Sequence, residues 1–264
     1  TVSPRPPRRF GRTDAPPGDR RGVLSNLDMQ PDTSAVPIDP CKHCGTGAPV
    51  DVHFCPRCDR ILTLGRHGDY FTFFGLRRRL RLDVKDLEQR FRALSRLFHP
   101  DYFHNATSTE RLASLERSSY LNDAFRTLRD PMARLEYLLK LEGFAPKESH
   151  DATTKVPQGL LEEVFELNEE LEAIQDMRAD GASAAALSLR LHAARQPIES
   201  NLARHEEQLD ALMADHDASL EAGDAEGRQA ALRSLRTLLL ERTYLMNLLS
   251  TVRREAASGE AAAS

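Results

Sequence analysis

Four cysteines stand in the arrangement Cys41-x2-Cys44-x10-Cys55-x2-Cys58, and the chain has no others. Each CxxC pair bends into a tight turn that sets two sulfurs on one side. Two such turns facing each other make the four-thiolate tetrahedron that Zn²⁺ favours. Gly45 and Gly47 follow the first pair and Pro56 sits inside the second, residues suited to those turns. Other chemistry stays open for the same side chains. Two disulfides would require an oxidising compartment, a redox pair would use one CxxC alone, and an iron–sulfur cluster would use all four thiolates. His43 and His53 are substitute ligands. A closed four-cysteine shell leaves no position for substrate, so the implied chemistry is structural zinc.

The second constellation is Phe98-His99-Pro100-Asp101. Proline disfavours helical dihedrals in the residue before it, so a helix arriving from Asp83 to Leu97 must stop and turn at His99. The tip then holds an imidazole, a rigid ring and a carboxylate between two antiparallel helices. No nucleophile or second acid accompanies it, so it reads as a contact point and the chain as a non-enzyme. Lys85, Arg92 and Arg96 lie about 100–140° round that helix from Phe91 and run toward the tip. Such a row is either a solvated face or a dock for an acidic surface.

The elements that must hold these groups are helical. Of the 264 residues, 29% are charged and 6% aromatic, with no Trp, and Leu, Ala, Glu and Arg dominate. That composition favours a mainly α protein with Leu-built cores. A formal net charge of -4 gives no overall attraction to nucleic acid. No apolar run approaches the roughly 20 residues that span a bilayer. Residues 1–38 carry Arg5, Arg8, Arg9, Arg12, Arg20 and Arg21 among prolines and read as a disordered leader.

Residues 39–66 form the four-cysteine zinc-binding module, a small ribbon with Phe54 and Ile61 as apolar contacts. The next unit, 67–142, opens on Tyr70, Phe71, Phe73 and Phe74. In its first long helix Val84, Leu87, Phe91, Leu94 and Phe98 make an apolar stripe. A second helix spans about Ser108 to Leu128, with Leu121, Ala124, Phe125 and Leu128 inward, and a third spans Met132 to Leu141. Residues 143–156 read as a linker. From 157 to 255 the pattern predicts an antiparallel three-helix bundle. Its helices run from Leu160 to Met177, from Ala182 to about Leu220 with a kink or break at Pro197, and from Ala225 to about Arg254. Leu232, Leu235, Leu239, Met246 and Leu249 take coiled-coil spacing in the last. Residues 256–264 should fray.

The order YFTFFGL, LEQRFRALSRLFHPD, LNDAFRTLRDPMARLEYLL resembles the J domain of the HscB/Jac-type co-chaperones of iron–sulfur cluster assembly, partners of DnaK/HscA-type chaperones. The cysteine module ahead of it is similar to the zinc-binding extension of the eukaryotic-type members, and the resemblance covers residues 41 to about 253. It implies that His99, Pro100 and Asp101, with Lys85, Arg92 and Arg96, dock on the chaperone and accelerate its ATP hydrolysis. It also implies that LLEEVFELNEEL holds the IscU-type scaffold through Leu161, Phe165, Glu166 and Glu169. Glu162 and Asn168 depart from the family's usual Met and Arg there. Leu160, Val164, Leu167, Leu171 and Ile174 already make an inward stripe, which leaves Phe165 on another face. The location implied is the cytoplasm, with the mitochondrial matrix as alternative. Competing readings are a general J-protein with another client and a zinc-ribbon nucleic-acid binder.

Overall fold

The computed structural model describes residues 38–50, 52–63, 68–144 and 158–262. All of the expected leader but Ile38, and most of the expected linker, lie outside these residues. The chain divides between Leu135 and Glu136 into two compact units.

In the first unit, β1 (Ile38–Pro40) pairs antiparallel with β2 (Gly47–Pro49), and an isolated bridge joins Phe54 to Ile61. Helix α1 (Tyr70–Phe73) starts at Asp69, whose carboxylate accepts from the Thr72 N–H at 2.8 Å and from Arg78 Nη2 at 2.8 Å. The aromatic run is core: Phe71, Phe73 and Phe74 are all buried. Helix α2 (Val84–Phe98) is capped by Asp83, and α3 (Ser108–Arg129) by a capping box in which Thr107 and Glu110 bond reciprocally. The two pack as a pair, with Phe91 stacked on Phe125 at 4.3 Å between ring centroids. The expected α2 stripe is mostly inward, but Val84 at its first turn is exposed and Phe91 is half-buried. Helix α4 (Pro131–Leu141) follows and spans the division after Leu135, starting one residue earlier than the sequence suggests because proline is favoured at a first helical position. Arg134 at its start is buried and donates to the Leu80 and Leu128 carbonyls.

In the second unit, a 3-10 turn (Gln158–Leu160) leads into α5 (Leu161–Ala179), α6 (Ala184–Ala222) and α7 (Ala225–Ala262). Its core joins Leu160, Val164, Leu167 and Ile174 to Leu187, Leu191 and Ile198 of α6 and to Leu245, Leu249 and Val252 of α7. At 1.5 Å per residue α5 is about 28 Å long and its two partners nearly 60 Å. The bundle therefore has three helices over half its length. Past α5, α6 and α7 continue as a pair, buried at Leu209, Met213, Leu232 and Leu235.

Three sequence expectations need correction. Pro197 does not divide α6, which runs through it. One missing donor does not end a helix whose inward face is packed on both sides of the gap. The tail does not begin at 256: α7 extends to Ala262, where Ala and Glu are strong helix formers. Arg178 bonds both the side chain and the carbonyl of Glu255, tying α7 to α5 near that end. Met246 points outward, and Leu245 takes the core position instead.

Candidate functional site

The cysteine centre is two copies of one turn. The Gly45 N–H donates to the Cys41 carbonyl at 2.8 Å, and the Asp59 N–H to the Cys55 carbonyl at 3.0 Å. Each turn closes with a left-handed residue, Gly45 at φ 71° and Asp59 at φ 54°. Glycine adopts that conformation freely, and aspartate is among the few other residues that tolerate it. The turns bring Cys41 Sγ to 3.8 Å from Cys58 Sγ and Cys44 Sγ to 3.6 Å from Cys55 Sγ, with all four sulfurs within 4.8 Å of one another.

A tetrahedron with metal–sulfur bonds of about 2.3 Å has edges near 3.8 Å, so the four thiols fit a single ion. A cluster of several irons would hold its sulfurs farther apart. Hydrogen bonds from the side chain and backbone of Thr46 draw the Cys44 thiol down to about 6. Cys41 is also lowered: burial opposes this, and the backbone N–H groups of Cys44 and His43 together with the Cys55 and Cys58 thiols outweigh it. Burial pushes Cys58 up to about 12. His53 is not a ligand. It is buried with Nε2 against the Phe73 carbonyl at 3.1 Å and Nδ1 against Arg117 at 2.7 Å. His43 is exposed and stands outside the cluster.

Arg117 carries no sequence signal of function, yet it joins the cysteine module to the helix pair. It is fully buried and donates to the Leu62 carbonyl at 2.9 Å and to His53. Its guanidinium also lies over the rings of Phe98 and Phe73, at 5.4 and 5.9 Å. The one available signal is position: Ala113, Arg117, Leu121, Ala124 and Leu128 form the inward stripe of α3, with an arginine at a core place.

The His-Pro-Asp corner stands on that core. Phe98 is completely buried, and its carbonyl accepts from Ser114 Oγ at 2.6 Å and Ser118 Oγ at 3.0 Å. One residue on, the chain leaves the helix at His99 with ψ 127°. Pro100–Phe103 form a 3-10 turn whose Asp101 N–H donates to His99 Nδ1 at 3.3 Å. The same Nδ1 lies 3.5 Å from Asp101 Oδ2, so ring and carboxylate are held together at the tip. The side chains of His99 and Asp101 are 51% and 86% exposed. Lys85, Arg92 and Arg96 are exposed along α2, with Arg92 paired to Glu88 at 3.0 Å. On α5 of the second unit, Leu161 and Phe165 are 54% and 64% exposed, beside exposed Glu166 and Glu169.

An antiparallel helix pair closed by an exposed His-Pro-Asp corner, carrying a four-thiol centre and followed by a helical bundle, defines a co-chaperone of the J-domain class. No family model matches the chain. The mouse protein "Iron-sulfur cluster co-chaperone protein HscB" is 32% identical over 197 residues, covering 74% of this chain and 75% of the mouse protein. The crystal structure of human co-chaperone protein HscB is similar over 82% of this chain and 98% of its own, with TM-score 0.55 and 27% identity. Chaperone HscB from Vibrio cholerae is similar over 72% of this chain and 99% of its own, with TM-score 0.46 and 27% identity. The chain belongs to the HscB co-chaperone family. Among the described residues, no helix is long and apolar enough to cross a membrane.

Proposed function

We propose that the protein binds an IscU-type iron–sulfur scaffold, presents it to a DnaK/HscA-type chaperone and stimulates that chaperone's ATPase. The observation that carries this reading is the corner itself: two outward polar groups, His99 and Asp101, mounted on a wholly buried Phe98. A docking group held that way has little conformational freedom left to lose on binding. The corner supplies no acid, base or nucleophile to ATP. It favours the partner's hydrolysis-competent state, which shifts a population instead of adding chemistry. The exposed cations of α2 extend the contact toward acidic surface.

Leu161 and Phe165, with Glu166 and Glu169, form the client face. Exposed large apolar side chains on an otherwise acidic helix are the sort of anchors that interfaces concentrate on. Cys41, Cys44, Cys55 and Cys58 hold one Zn²⁺, whose chemistry is structural because the shell is closed.

The test is ATP turnover by a DnaK-type chaperone with this protein and the scaffold, together and separately. His99→Gln and Asp101→Asn should abolish stimulation and leave the helical spectrum unchanged. Phe165→Ala should spare stimulation by the protein alone and remove the added effect of the scaffold. Normal stimulation by either corner variant would defeat the chaperone assignment. A protein that stimulates fully yet never binds scaffold would instead be a general J-protein with another client.

A further inference from the structure

Beside the outward face of α5 lies a cleft of about 350 Å³ between α5, α6 and α7. Its floor is apolar, built from Leu167, Ile198 and Leu245. One wall is Ala193, Ala194 and Pro197 of α6, whose short side chains leave the space open. The opposite rim is Glu163, Glu166 and Glu170, each about one helical turn from the next along α5. At 3.6 residues per turn these three lie about 100–160° round the helix from Phe165. They therefore sit between the outward apolar pair and the core stripe, and the cleft continues the Leu161–Phe165 face toward α6.

Three carboxylates stand at its mouth against two donors, Asn201 and Arg190. Glu163 accepts from Asn201 Nδ2 at 3.3 Å, and Glu170 from Arg190 Nε at 2.6 Å. Glu166 is exposed beside them. Pro197 has no N–H to offer the Ala193 carbonyl four residues back. Arg190 balances Glu170, so Glu163 and Glu166 supply the net negative charge over this apolar floor. That arrangement matches a group that is apolar at its end and positively charged at its base. An open apolar cleft also forgoes burial that a larger side chain at 193 or 194 would supply.

We propose that this cleft takes an apolar side chain of the client, flanked by Lys or Arg, as a second anchor beyond Phe165. The inference rests on the reading of α5 as the client face. The experiment measures scaffold affinity by calorimetry, and melting temperature, for the full chain and three variants: Phe165→Ala, Ala194→Leu and Ala193→Phe. Ala194→Leu fills the floor, and Ala193→Phe covers the mouth from an exposed position, so one folds normally even if the other strains the core. The expected result is binding about tenfold weaker in Ala194→Leu and in Ala193→Phe, with a melting temperature equal to or above that of the parent. A merely structural role for the cleft would not weaken binding while holding or raising stability. If both variants bind like the parent while Phe165→Ala binds weakly, the cleft is no anchor and the client face stands. If Phe165→Ala binds as tightly as the parent, the client face is wrong and this inference goes with it.

Discussion

Cys44 and Cys58 share a centre and differ in charge. The hydrogen bonds from Thr46 bring Cys44 to about 6, so its sulfur is mostly thiolate at neutral pH, while burial keeps Cys58 protonated up to about 12. Only the thiolate attacks an alkylating reagent. In metal-stripped protein at pH 7, iodoacetamide should modify Cys44 first, and its rate should fall as the pH drops through about 6. Reloading with Zn²⁺ should protect all four thiols, because every ligand sulfur is then engaged. Peptide mass spectrometry over a time course reads both effects. Equal rates at Cys44 and Cys58 would show that the Thr46 hydrogen bonds do not set the charge. The centre is legible in sequence because spacing alone fixes which four sulfurs meet. Their unequal acidity is not, since it depends on which N–H and hydroxyl groups the two turns aim at each sulfur.

The helix pair and the cysteine ribbon belong to one packed unit through α3. Arg117 reaches the ribbon at Leu62 and His53 and covers the Phe98 ring, while Ser114 and Ser118 on the same helix hold the Phe98 carbonyl. Breaking charge-assisted hydrogen bonds in a buried place strands polar partners, at roughly 2–4 kcal/mol. Arg117→Met should therefore lower the stability of this unit by about that much in a denaturant titration. Amide exchange should quicken at residues 99–103 while the metal content stays at one equivalent. Unchanged exchange there would mean that the ribbon and the corner are energetically independent. Periodicity revealed α2, α3 and α5 because their apolar positions recur at helical steps, and it put Phe165 outside the core stripe for the same reason. It could not reveal this clamp. An arginine on an inward stripe reads as a break in the pattern until the carbonyls it satisfies are seen. Of the two outcomes expected at Pro197, a kink or a break, α6 rules out the break: local propensity is outweighed by packing that continues on either side.

At the scale of the whole chain, the proposed chaperone corner and client face lie in different units, so a change at one leaves the other intact. Asp101 is 86% exposed and carries no core packing, so Asp101→Asn removes a docking charge without disturbing α5. That variant should hold the scaffold with the parent's affinity and fail to recruit the chaperone. It then competes: with scaffold limiting, an equal amount of the variant should cut scaffold-dependent ATP turnover to about half, because tethering client to corner is what raises the rate. Excess scaffold should restore the full rate, since each parent molecule then finds a client. The double variant Asp101→Asn with Phe165→Ala should not compete at all, having lost both contacts. Inhibition that persists with excess scaffold would place the competition at the chaperone, and the two faces would no longer be separable.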